Sequence, residues 1–127
     1  MLVNVRQRGF TLIELLVVMV VIALLLTIAA PRYFGSLEKS KEAVLRQNLA
    51  LTRETLDKFY GDTGKYPDSL EALVSNKYMR TLPFDPITDS NSTWIIISPD
   101  DQDKGIVFDI KSGAPGSASN GQPYREW

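Results

Sequence analysis

One carboxylate, Glu14, interrupts an apolar stretch four residues after a Gly9-Phe10 step, with Arg6 and Arg8 just upstream. An ionised acid in a membrane helix costs about 2.5 to 3.5 kcal/mol near the centre and less near an interface, so Glu14 calls for an offset. A neighbouring cation would supply one, because opposite charges attract strongly at low dielectric while either charge alone keeps its desolvation penalty. The N-terminal dipole of its own helix would supply a weaker one. The rest of the composition argues against turnover. The chain has no histidine and no cysteine, which removes imidazole bases, thiolate nucleophiles and the common zinc ligand sets. Scattered Ser and Asp residues in turns form no fixed catalytic motif. Asp100, Asp101, Asp103 and Asp109 surround one turn and offer hard oxygen ligands for calcium; a solvated acidic turn is the alternative, and residues 101–105 are not a complete EF-hand loop.

The elements that position these groups begin with the apolar run. From Leu15 to Ala30 only Thr27 breaks it, and the 22 residues from Phe10 to Pro31 would extend about 33 Å as a helix, close to the hydrocarbon thickness of a bilayer. A secretory signal is the competing reading, with Ala23 and Ala29-Ala30 as small residues for cleavage on the far side; the length of the run and the placement of Glu14 oppose it. Arg32, Lys39 and Lys41 follow the run, so flanking charge orients it only weakly, with the N-terminus inside if the later cations belong to an exported domain. Pro31 removes one helical hydrogen bond and marks either a kink or the boundary of the membrane segment.

Residues 33–60 then follow a helical rhythm, with Leu45, Leu49, Thr52, Leu56 and Phe59 on one face and Leu37, Val44 and Leu51 broadening it. Lys39, Lys41, Glu42, Arg46, Arg53, Glu54, Asp57 and Lys58 are assigned to the polar side. Gly61 to Gly64 ends the pattern, and Asp68 with Glu71 three residues later is expected to cap a short second helix. Residues 92–98 and 106–110 read as two strands of an antiparallel hairpin, and 112–121 as a loop that orders if Tyr124 and Trp127 pack back against the domain. Fourteen basic and fifteen acidic residues give a net charge of −1, and loss of Arg6 and Arg8 with a leader would make it −3. No concentrated basic surface is present, so no nucleic-acid partner is expected.

The segment from Arg6 to Glu14 resembles the class III leader and N-terminal helix of the type IV pilin superfamily. The Tyr66-Pro67 step, the short helix and Leu82-Pro83-Phe84-Asp85-Pro86 make the chain most similar to the G-type major pseudopilins of type II secretion. Ile87-Thr88-Asp89-Ser90 departs from that family's Trp-Gly-Asn-Pro continuation. The resemblance implies an α+β pilin-like fold, with a long N-terminal transmembrane and assembly helix whose C-terminal half packs on a small antiparallel sheet. It implies a cleaved leader at residues 1–9, a membrane and filament-core helix at 10–31, and a periplasmic domain at 32–127. A prepilin peptidase would cut after Gly9, Phe10 would become the N-methylated terminus, and Glu14 would pair with the Phe10 amine of an adjacent subunit. The partners implied are copies of the same chain, minor pseudopilins, the prepilin peptidase and an inner-membrane assembly platform. The expected location is the inner membrane, single-pass with the N-terminus cytoplasmic, and then a periplasmic pseudopilus. G-type pseudopilins bind calcium in a late acidic loop, but residues 117–123 contain no acid, so that site does not transfer. Two rivals remain at this level: a type IV or minor pilin for adhesion, motility or DNA uptake, and a single-pass anchored binding module.

Overall fold

Helix α1 occupies Leu12–Thr63 in a computed structural model that describes residues 8–127. Residues 1–7 of the expected leader lie outside the described residues. The chain divides into two units, Met1–Leu37 and Glu38–Trp127.

In the first unit α1 is apolar all round. It contains a window of mean hydropathy 3.0 of which none is buried, which distinguishes it from the core helix of a soluble domain. The helical assignment continues through Pro31. Proline at that position leaves the Thr27 carbonyl without its usual amide donor, and the Thr27 hydroxyl donates to the Ala23 carbonyl at 2.8 Å.

In the second unit, Leu45, Leu49, Thr52 and Leu56 form the buried stripe of α1. They lie at helical spacing and within a narrow arc, which is why the periodicity identifies them. Leu37, Val44 and Leu51 do not extend this stripe and stay exposed. At about 100° per residue, Val44 and Leu51 point roughly a quarter turn to one side of the stripe, beyond the reach of a domain this small. The opposite flank carries Glu42 and Arg53, which were assigned to the polar side; Glu42 is buried and Arg53 half-buried.

The sheet has two strands, β1 (Ile95–Ile97) and β2 (Asp109–Lys111), antiparallel with Ile96 opposite Ile110. Both are shorter than the hydrophobic runs suggested, for identifiable reasons. Trp94 leaves the strand to enter the core, donating its indole N–H to the Pro83 carbonyl at 2.7 Å. At the start of the second run the Val107 amide bonds back to the Pro67 carbonyl at 2.9 Å, so pairing with β1 begins later. Helix α2 (Leu70–Ser75) is capped by Ser69, whose hydroxyl accepts from the Ala72 amide at 3.3 Å. The expected cap, Asp68, is one residue too early, because Ser69 holds the extended backbone required of a cap. Leu70 and Leu73 of α2 join Leu45, Leu49 and Leu56, together with Trp94, Val107, Ile110, Tyr124 and Trp127, in one core cluster.

Candidate assembly site

Thr11 stands just before α1 and Glu14 is its third residue, a Thr-x-x-Glu pattern. The Glu14 amide donates to the Thr11 hydroxyl at 3.2 Å, and the Thr11 amide donates to the Glu14 carboxylate at 3.4 Å. This is a reciprocal capping box, which satisfies two helix-end donors locally. Both contacts are exposed and the second is long, so the carboxylate remains available to a stronger partner. In the uncleaved chain the Phe10 nitrogen is a peptide amide and carries no charge. Removal of residues 1–9 would turn it into an amine one helical turn from Glu14.

Phe10 is 89% exposed. A Cβ placed on Gly9 would meet no atom within 4 Å. Packing inside this chain therefore does not require glycine there. Gly9 and Phe10 both lie outside regular structure, directly before the helix.

The four aspartates of the acidic turn fall into two settings. Asp101 caps a short 3-10 turn at Gln102–Lys104, its carboxylate accepting from the Asp103 amide at 3.1 Å, and Asp100, Asp101 and Asp103 are exposed. Asp109 lies on β2 and takes the Arg53 guanidinium at 2.8 Å. Among the described residues no group of three or more acidic side chains is placed to hold a metal ion. Arg53 also donates to the main-chain carbonyls of Ile110, at 3.1 Å, and Trp127, at 2.9 Å, so one side chain ties α1 to β2 and to the C-terminal segment.

Two further acids shape the domain, and periodicity did not single them out. Asp85 is wholly buried between Pro83 and Pro86. It accepts from the Ser112 hydroxyl at 2.6 Å and from the amides of Ile87 and Thr88 at 2.9 and 3.3 Å, closing a loop whose ends bridge at Asp85 and Ser90. Asp89 takes the left-handed backbone, φ 55°, within this loop, a conformation that Asp tolerates better than most residues. Glu42 accepts from the Ser119 amide and hydroxyl, both at 2.8 Å, and from the Tyr124 hydroxyl at 3.1 Å. The available signals were the proline pair around Asp85 and the position of Glu42 on the flank of the buried stripe.

The Tyr66-Pro67 step is an anchor for the turn before β2. Tyr66 stacks on Tyr60 at 4.5 Å, meets Phe108 edge-on at 5.2 Å, and donates its amide to the Lys104 carbonyl at 2.7 Å. Gly105 passes so close that a Cβ on it would come within 2.1 Å of the Tyr66 carbonyl oxygen.

Comparison with known proteins places relatives along most of this chain. The family model for the prokaryotic N-terminal methylation motif matches residues 4–30. Type II secretion system core protein G of Klebsiella pneumoniae is 31% identical, over 88% of this chain and 90% of that protein. Core protein G of Vibrio cholerae is 28% identical over 96% and 92%. The type IV major pilin protein PilA of Myxococcus xanthus is 35% identical, but over only 51% of this chain and 30% of its own length. No solved structure matches the chain. Pilin-like similarity is thus shared more widely, whereas similarity through the α1, α2 and two-stranded sheet together is found with the secretion proteins, and the chain belongs to the type II secretion system core protein G family.

Proposed function

We propose that this chain is stored in the inner membrane as a precursor, loses residues 1–9 to a prepilin peptidase, and then repeats as the structural subunit of a periplasmic pseudopilus that supports type II secretion. The observation that carries this reading is similarity to core protein G along nearly the whole length of both chains. The role is mechanical, as is that of the family; no catalytic constellation is invoked.

Several features of the molecule support the reading. The apolar cylinder of α1 suits lipid before assembly and the packed centre of a helical fibre afterwards, with no change of chemical character. Val44 and Leu51, exposed and seven residues apart, lie on one stripe of the same helix beyond the membrane segment and offer apolar surface to neighbouring subunits. A heterologous contact repeated without closure generates a filament. Register would come from Glu14 meeting the Phe10 amine of the next subunit, since a misplaced subunit leaves a charge unpaired in low dielectric. Copies of the chain and minor pseudopilins are the partners in the fibre, and an inner-membrane platform supplies the directional work. The N-terminus is assigned to the cytoplasm and the Glu38–Trp127 domain to the periplasm.

Intact mass measurement of the membrane protein from strains with and without prepilin peptidase tests the first step. The expected result is loss of residues 1–9 only when the peptidase is present, with one further methyl group on Phe10. A full-length chain in both strains would overturn the reading.

A further inference from the structure

The late loop of this chain has the opposite polarity to a cation site. A calcium cage converges carboxylate and carbonyl oxygens on a central positive ion. Here the central charge is negative: the Glu42 carboxylate, 7% exposed, reaches from α1 into the loop and is met by donors. The Ser119 amide and the Tyr124 hydroxyl both donate to Oε1, and the Ser119 hydroxyl donates to Oε2. A main-chain N–H cannot ligate a cation, so the Ser119 amide, 2.8 Å from Oε1, is a partner for the carboxylate and no ligand for an ion.

Three of the loop carbonyls are engaged within the loop itself. Those of Gly116, Ala118 and Gln122 accept the amides of Tyr124, Gly121 and Ala118 respectively, and Ser117 bridges to Pro123. The Asn120 side-chain oxygen accepts the Gln122 amide at 3.0 Å. Residues 117–123 contribute no carboxylate of their own. The donor set that the resemblance would lead one to expect is therefore not the one this sequence folds into.

We propose that the C-terminal loop of this chain closes on an internal carboxylate, Glu42, and does not need calcium. The helix supplies the charge, and the loop supplies three donors arranged around it. Closure in turn seats the last aromatic residues, because Tyr124 packs edge-on against Trp127 at 5.3 Å and the Arg46 guanidinium covers the Trp127 ring at 4.4 Å.

The full-length chain in detergent micelles tests this by thermal unfolding and by limited proteolysis within residues 116–124, each in EDTA and in millimolar calcium chloride. Wild type should show the same midpoint and the same cleavage rate in both. Glu42→Ala should cleave in the loop at least about tenfold faster, with no rescue by calcium, because three donors lose their acceptor. Glu42→Gln, which keeps one acceptor oxygen, should fall between the two. A calcium-dependent rise in the wild-type midpoint, or calcium protection of the wild-type loop, would overturn the proposal. So would a Glu42→Ala loop as resistant in EDTA as the wild-type loop. If Glu42→Ala does not fold, calorimetric titration of the wild-type chain with calcium chloride decides: no heat of binding supports the proposal, and saturable binding that protects residues 117–123 overturns it. These readouts concern the loop alone, so their failure would leave the pseudopilus reading standing, and failure of filament assembly would leave them unchanged.

Discussion

Replacing Glu14 by glutamine separates its two roles, because glutamine also completes a capping box but carries no charge. The structure bounds the capping role. The Thr11 amide reaches the carboxylate at 3.4 Å in an exposed setting, so losing that bond costs at most about 1 kcal/mol. Pairing with an amine is larger: at about 4 Å and an effective dielectric near 20, two unit charges attract by roughly 4 kcal/mol. An attraction of that size corresponds to about a thousandfold in the equilibrium constant of a subunit contact. Glu14→Gln and Glu14→Ala should therefore assemble nearly alike, within about tenfold of one another, and both roughly a thousandfold less than wild type. Membrane levels and leader removal should be unchanged, since neither substitution makes the helix less apolar. The assay is shearing and pelleting of filaments from cells overproducing the secretion components, with the membrane-resident pool quantified alongside. Glu14→Gln filaments at wild-type yield, with Glu14→Ala impaired, would show that Glu14 acts only as a cap and would refute the pairing argument.

Asp85→Ala should destabilise the Glu38–Trp127 domain by about 3 to 5 kcal/mol, because the Ser112 hydroxyl and the amides of Ile87 and Thr88 lose a buried acceptor. Asp85→Asn keeps an oxygen for the two amides and should cost about 1 to 2 kcal/mol; denaturant unfolding followed through Trp94, bonded to the neighbouring Pro83, measures both, and an Asp85→Ala change under about 0.5 kcal/mol would contradict the assignment. Gly105→Ala should be strongly destabilising, since φ is 104° and the added carbon would meet the Tyr66 carbonyl at 2.1 Å; a thermal midpoint within a degree or two of wild type would exclude that close approach. Burial alone would push the Glu42 carboxyl up, but the Ser119 amide and hydroxyl, the Tyr124 hydroxyl and the Arg46 charge outweigh it and hold the carboxyl below its ordinary range. A depressed acid contributes stability that is present above its unfolded pKa and lost as pH falls through its folded pKa. Protection of residues 116–124 should accordingly be full at neutral pH and decline only below about pH 4, and Glu42→Gln should flatten that decline.

The N-terminal third of the molecule was legible residue by residue. An apolar cylinder with one acid and a Gly-Phe step needs no tertiary partner to be recognised, because length, hydropathy and charge placement are properties of the chain itself. Leu45, Leu49 and Leu56 were legible for a similar reason, as a helix converts spacing directly into a face. The hairpin was visible as two β-rich runs, but its three-residue strands were not, because Trp94 and Val107 are drawn out of the ladder by contacts with Pro83 and Pro67, far away in sequence. The cap of α2 was misplaced by one residue, since Asp68 and Ser69 are both good caps and backbone geometry chooses between them.

What only the tertiary structure decided is the role of the polar side chains. Glu42 and Arg53 sit among the polar positions of a helical pattern, Asp85 in a proline loop and Asp109 beside an acidic turn, yet each is fixed by partners from distant segments: Ser119 and Tyr124, Asp109 and Trp127, Ser112, and Arg53 respectively. Apolar burial follows a period and can be read along the chain. A hydrogen-bonded carboxylate depends on where donors from elsewhere arrive, and that information exists only once the loops have closed.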